Sequence, residues 1–248
     1  MPNPGGITTA PVLWLEGDAG VLSSSGSVYQ WNDQSPSENN AIQSNSSYWP
    51  TLGSLLNGKQ TVNFTRQYLA LTTPFNPGAD WTVCAVMRQT NTSTILACIS
   101  SSAVNPTTNP YGVPYGPFAY TTLGTFLGSE SFSTGYPALW SSDVSTAWGF
   151  VTGVNASNAL SLYRAGVAVS GGVPYNPATT VDTTFDWIGT RNYGGTELSL
   201  VGGDLAEVIV FPTALLPADR QAVETYLYTK WFVARSKLIP PMLYQGAI

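Results

Sequence analysis

The segment from Gly203 to Trp231, GDLAEVIVFPTALLPADRQAVETYLYTKW, changes its hydrophobic period once, from strand to helix, and constrains the fold more than any other stretch. Glu207 to Phe211 reads as a strand. Pro212 breaks it, Leu216 closes a loop, and Pro217 stands where a first helical turn tolerates proline. Val223, Leu227 and Trp231 then recur every four residues on one helical face. One short helix thus follows a chain that otherwise reads as strand and turn.

Composition supports this. The 248 residues include 24 Gly and 18 Pro alongside 8 Trp and 13 Tyr. Gly and Pro supply turn geometries, and aromatics fill pleated cores. Strands are expected near 11–16, 27–32, 60–64, 67–71, 80–88, 94–100, 147–155, 158–164, 166–170, 184–190 and 204–211. Alternation in Trp148-Gly149-Phe150-Val151-Thr152 puts one face of a strand in a core and the other on solvent or a groove. Arg164-Ala165-Gly166 supplies a hairpin turn. The predicted fold is all-β: two antiparallel sheets packed face to face in one domain, with one short C-terminal helix.

Only 9% of the residues are charged, and the net charge is -5. A surface built from Ser, Thr, Asn and Gln suits sugars or protein partners. Nucleic acid is excluded as a partner, because phosphates call for clustered Lys and Arg. Lys230, Arg235 and Lys237 read as cations at a helix C-terminus. No stretch of about 18 apolar residues is present, so no membrane partner is expected, and MPNPGGITTAPV lacks the features of a signal peptide. Cys84 and Cys98 lie in two apolar runs and read either as buried thiols or as a cross-strand disulfide.

Several motifs, in order, carry a family resemblance. They are Leu13-Trp14-Leu15-Glu16-Gly17-Asp18, Val28-Tyr29-Gln30-Trp31-Asn32-Asp33, Asn57-Gly58-Lys59-Gln60-Thr61-Val62-Asn63-Phe64, Leu160-Ser161-Leu162-Tyr163, Trp187-Ile188-Gly189 and the closing strand and helix. Together they resemble the laminin-G-like, concanavalin A-like lectin/glucanase domains. The resemblance implies a jelly-roll sandwich over residues 1–231; the aromatic-rich segment at about 101–146 matches no family motif and reads as an insertion, and 232–248 reads as an apolar tail. The chain departs from the family at Pro36-Ser37-Glu38-Asn39-Asn40, where many relatives carry a Gly-Asn-Gly-Asn loop.

Chemistry is narrowed by the absence of His, which removes Ser-His-Asp and Cys-His nucleophiles and the usual zinc sites. Glucanase relatives use a Glu-x-Asp-x-x-Glu strand. The nearest match, Asp204-Leu205-Ala206-Glu207, has Gly202 in place of the first Glu, and its two carboxylates point to opposite faces unless a bulge intervenes. Glu207 therefore reads as a structural acceptor, and no catalytic residue is assigned. No cofactor is required. Calcium, which many domains of this fold bind, points to Asp18, Asn32 and Asp33, whose alternative role is turn capping.

Trp49, Tyr111, Tyr115, Tyr120, Tyr136 and Trp140 are the candidate ligand platforms, while Trp14, Trp31, Trp81 and Trp187 read as core. Phe232, Leu238, Ile239, Met242, Leu243 and Tyr244 are candidate interface residues. The expected function is a non-enzymatic structural or recognition module of a virion, as a bacteriophage capsid decoration, fibre or tail protein. It would be made in the host cytoplasm, sit on the virion surface, and contact other virion proteins or its own copies as a homo-oligomer, with host glycan as a further ligand. The alternatives are an extracellular carbohydrate-binding lectin domain and a carboxylate-dependent glycoside hydrolase.

Overall fold

The structure is a computed structural model. It describes residues 2–65, 67–78, 80–90, 95–100, 118–120, 124–128, 138–141, 146–157, 159–169, 184–190 and 202–234. The strands among them are β1 (Leu13–Glu16), β2 (Val21–Ser24), β3 (Ser27–Trp31), β4 (Ala41–Ile42), β5 (Thr51–Leu52), β6 (Val62–Phe64), β7 (Leu69–Phe75), β8 (Trp81–Gln89) and β9 (Ile95–Ser100). They continue as β10 (Phe118–Tyr120), β11 (Gly124–Gly128), β12 (Ala138–Ser141), β13 (Gly149–Ala156), β14 (Ala159–Arg164), β15 (Val167–Ala168), β16 (Phe185–Gly189) and β17 (Gly203–Phe211). The helix is α1 (Pro217–Trp231).

All strand pairings are antiparallel, and they build two layers. One runs β15–β14–β13–β8–β17–β1. The other runs β2–β3–β4–β7–β16–β9–β10–β11–β12. At one edge β6 pairs with β17 and β5 joins β6 to β3, so hydrogen bonding passes from layer to layer. Leu13, Leu15, Val83, Ala85, Leu205, Val208 and Val210 of the first layer meet Val28, Trp31, Leu69, Leu71, Phe185 and Ile188 of the second in one buried core. The all-β sandwich with one helix is the fold read from the sequence.

Period two along β8 and β17 also gives a second apolar face. Cys84 and Val86 of β8, with Ala206, Ile209 and Phe211 of β17, point away from the sandwich core. Val223, Leu227 and Trp231 of α1 cover them, all fully buried. The outer face of the first layer is therefore closed by α1, whereas on the second layer the described residues place only the one-turn 3-10 helix Ser46–Tyr48, whose Tyr48 ring packs on Tyr68. Ala165 and Gly166, at φ 48° and 79°, make the two-residue turn between β14 and β15. Positive φ at both positions matches the right-handed strand twist; the hairpin turn was expected from the sequence, the positive φ at Ala165 was not.

Three bulges decide where side chains point. In β17, Ala206 is an extra residue between Leu205, opposite Met87, and Glu207, opposite Val86. In β3, Tyr29 is an extra residue between Gln30, opposite Leu22, and Val28, opposite Ser23. Between Phe185 and Trp187 of β16, the partner on β7 moves from Phe75 to Ala70. The short strands β2, β4 and β5 were not expected from the sequence; β10–β12, which add to the sheet beyond β9, fall in the inserted segment, which reads from the sequence either as an extra hairpin or as a contact surface.

Candidate functional site

The carboxylates of the Asp204-Leu205-Ala206-Glu207 motif are both engaged within the protein. The bulge at Ala206 puts Asp204 and Glu207 on the same outer side of β17. Asp204 is then held by Arg88, whose Nε lies 2.7 Å from Oδ2, and by Asn63 Nδ2 at 2.7 Å. Glu207 is fully buried. Its Oε1 accepts from Trp14 Nε1 at 2.7 Å and Tyr226 OH at 2.9 Å, and its Oε2 accepts from Lys230 Nζ at 2.9 Å and Trp231 Nε1 at 2.5 Å. Four donors leave it no room to meet a substrate. Glu207 is the structural acceptor read from the sequence, and its donors are two indoles, the Tyr226 hydroxyl and an ammonium.

Lys230 also reaches Glu16, and Asp18 at 3.2 Å, while Lys59 caps Asp18. Burial disfavours the Lys230 ammonium, but Glu207 and Glu16 outweigh it and hold its pKa above the ordinary value. Burial raises Glu16. It acts on Asp18 in the same direction, yet Lys59 and Lys230 prevail and hold that carboxyl low. Burial and the neighbouring Glu207 charge push the Tyr226 phenol up.

The calcium candidates do not converge. Asp18 is committed to the two lysines. Asn32 Oδ1 accepts from Gln30 Nε2 at 2.5 Å. Asp33 accepts from Trp14 N (2.7 Å) and Ser35 N (2.9 Å) on Oδ1, and from Ser35 Oγ (2.7 Å) and Asn39 N (2.8 Å) on Oδ2. Its oxygens are thus filled by turn donors. These residues do not fit a calcium site, and no cluster of three potential acidic or thiol ligands is found among the described residues.

The open outer face of the second layer carries a different constellation. Tyr68, just ahead of β7, lies against Trp187 of β16 with ring centroids 4.6 Å apart at 31°, and against Tyr48 at 5.8 Å and 40°. Tyr29, the bulge residue of β3, meets Trp49 at 5.6 Å. All five rings are half-buried. Buried Gln43 links three of their residues, Tyr29, Trp49 and Tyr68. Its N–H donates to Tyr29 O at 3.0 Å, its carbonyl accepts from Trp49 Nε1 at 2.6 Å, and its Nε2 donates to Tyr68 O at 3.4 Å. The rings form a braced aromatic patch with amide groups in its frame.

Sequence reasoning named Trp49 and missed the other four. Trp187 is corrected from core to outer face: alternation puts it on the side of Phe185, but the irregularity between them leaves Phe185 and Ile188 in the core and turns Trp187 out. Trp14, Trp31 and Trp81 are buried as expected. Tyr111, Tyr115 and Tyr136 lie outside the described residues, and Tyr120 and Trp140 fall in β10 and β12, described as strands only. Of the interface candidates, Phe232 is half-buried and stacks on Tyr228 at 6.1 Å. Leu238, Ile239, Met242, Leu243 and Tyr244 lie outside the described residues.

No protein-family model matches the chain, and no curated protein matches its sequence. Solved structures do. Domain 4 of AbnA, a GH43 extracellular arabinanase from Geobacillus stearothermophilus, in complex with arabinotriose, matches at a TM-score of 0.57 and 12% identity, over 87% of this chain and 98% of that one. The Trypanosoma rangeli sialidase in complex with sialic acid matches at 0.55 and 13%, over 88% of this chain and 33% of its own. A GH54 α-L-arabinofuranosidase matches at 0.54 and 12%, over 92% and 61%. The chain thus spans about a third of the sialidases it matches. At these identities the likeness is one of fold, a β-sandwich recurring in carbohydrate-active proteins.

The virion assignment is corrected by these matches. The neighbours are domains of sialidases and arabinan-degrading enzymes, and nothing in them points to a virus particle. The features that suggested it, the lack of an export signal, low charge and an apolar tail, do not specify a partner.

Proposed function

We propose that the protein is a carbohydrate-binding domain whose ligand lies on the open sheet face at Tyr29, Tyr48, Trp49, Tyr68 and Trp187. The observation that carries this reading is the Tyr68–Trp187 pair, two half-buried rings packed against each other 4.6 Å apart. Aromatic rings offer apolar faces to the C–H faces of sugars, while neighbouring amides suit hydroxyls. Preorganisation by Gln43 lowers the entropy lost on binding. The arabinotriose held by the arabinanase domain, which this chain covers almost end to end, supports a glycan as the ligand class. The order of motifs from Leu13 to Trp231 supports a laminin-G-like sandwich, and an extracellular setting agrees with it.

Binding is favoured over hydrolysis. Hydrolysis calls for two carboxyl groups flanking a scissile bond, and both Asp204 and Glu207 are engaged elsewhere. The test is calorimetric titration with arabinotriose, cellotriose and sialyllactose, with product analysis of the same mixtures. Saturable binding by at least one sugar, weakened about tenfold or more in Trp187→Ala and Tyr68→Ala, is the expected result. Folded variants that bind as well as the natural chain would remove the aromatic patch from the reading, and sugar cleavage would replace binding with catalysis.

A further inference from the structure

We propose that the protein has a second glycan site on its opposite face, in the groove between the start of β13, the Ala165-Gly166 turn and α1, so that one molecule holds two sugar chains. This rests on the carbohydrate-binding reading above and extends it to a second site. The groove encloses about 610 Å³, within the range of about 300–1,000 Å³ typical of small-ligand sites.

The helix makes the groove by carrying two stripes. Val223, Leu227 and Trp231 turn inward, whereas Gln221, Thr225, Tyr228 and Phe232, spaced four, three and four apart, line the groove. Tyr228 is 53% exposed and stacks nearly parallel to Phe232, at 6.1 Å and 14°. Phe150 buttresses both, at 6.5 Å and 6.1 Å. Across the groove, the guanidinium of Arg88 lies 4.9 Å from the Trp148 ring and is itself anchored on Asp204. Two aromatic walls are thus braced by neighbours.

Charge narrows the ligand. Glu224 lines the groove, but Arg220 Nη1 lies 2.6 Å from both its oxygens, and the Arg220 guanidinium packs 3.6 Å from the Tyr163 ring. That carboxylate is spent inside the protein. What remains facing the groove is aromatic surface with the exposed amide of Gln221 and the oxygen of Thr225, whose hydroxyl donates to Gln221 O at 2.8 Å and is left to accept. A neutral polyhydroxylated ligand fits this chemistry better than a cation or an anion.

The test is the stoichiometry of arabinotriose and cellotriose binding by calorimetry, in the full chain and in Trp187→Ala and Tyr228→Ala, with light scattering on the same samples. Tyr228 is exposed, so its truncation leaves the fold intact. Two sites per chain are expected, with each variant losing one and keeping the other, and the unsubstituted chain should clump a soluble arabinan that neither variant clumps. A single site lost in Trp187→Ala and untouched in Tyr228→Ala would overturn the second site while leaving the proposed function standing. No binding in any sample would overturn both. A dimer that Tyr228→Ala disperses, with no change in sugar stoichiometry, would assign the groove to a second copy of the chain instead.

Discussion

Trp231 and Glu207 stand 24 residues apart, yet the indole Nε1 of one donates to Oε2 of the other at 2.5 Å, pinning the last turn of α1 to the middle of β17. The bond joins the two elements whose change of period dominates the sequence. It also shows how a glutamate in a glucanase-like motif can serve architecture alone.

Glu207→Leu should therefore be a stability variant. It leaves two indole N–H groups, a phenol and part of the Lys230 ammonium without a buried acceptor, at a cost of about 3–5 kcal/mol. For a domain of this size, that lowers Tm on the order of 10 °C. Glu207→Gln, which keeps one acceptor, should lose less. Thermal unfolding by circular dichroism checks both. Sugar affinity in the folded Gln variant should be unchanged, and a loss of affinity there would show that Glu207 takes part in binding.

The same cluster predicts an alkaline limit. Folding raises Lys230 above its ordinary 10.5 and Tyr226 above its ordinary 10.0. The native state then keeps protons that the unfolded chain releases, so stability falls as pH rises above about 10. Below pH 10 both contributions are fully present. Denaturant unfolding from pH 8 to 11 should show this decline, and Tyr226→Phe should begin it later, near 10.5. An unchanged onset in the variant would assign the decline to other groups.

The strand β17 and helix α1 were legible because their patterns are local: a run of apolar residues from Val208 to Phe211, a proline break, and a four-residue repeat. The aromatic patch was not, because bulges created it. Nothing in Phe185-Asp186-Trp187 signals that the partner strand skips from Phe75 to Ala70, and one such irregularity carries Trp187 from core to surface. Tyr29 was hidden in the same way. Asp33 shows the complementary case: its turn-capping alternative was readable from Asp33-Gln34-Ser35, since Asx turns bond two residues on. The donors to Glu207 were unreadable individually, because Trp14 lies 193 residues away.

The two cysteines should resist chemistry. Cys84 faces α1 and Cys98 the sandwich core, and both are free and buried. Burial pushes Cys84 up to about 12 and raises Cys98 as well. At pH 8 the thiolate of Cys84 is then on the order of one part in ten thousand. Iodoacetamide should add nothing to the native protein over an hour and two groups after denaturation, read by intact mass. Rapid native labelling would mean that the helix opens from the sheet.

Gly189 joins stability to the binding face. It sits at φ +95° directly after Trp187 and Ile188, and a Cβ there would come 2.1 Å from the Phe64 ring. Gly189→Ala thus meets two costs: about 1–2 kcal/mol for a side chain at positive φ and about 1–3 kcal/mol for overpacking a filled core. Phe64 is fully buried beside Leu69 and Ile188, so its ring has little room to yield. The strand is expected to shift instead, carrying Trp187 away from Tyr68. Denaturant unfolding should therefore show a loss of about 2–5 kcal/mol, and the folded fraction should bind sugar more weakly than the natural chain. The double substitution Gly189→Ala with Phe64→Leu, which makes space for the methyl group, should recover part of both losses. Recovery of stability without recovery of binding would separate the packing of this strand from the geometry of the aromatic patch.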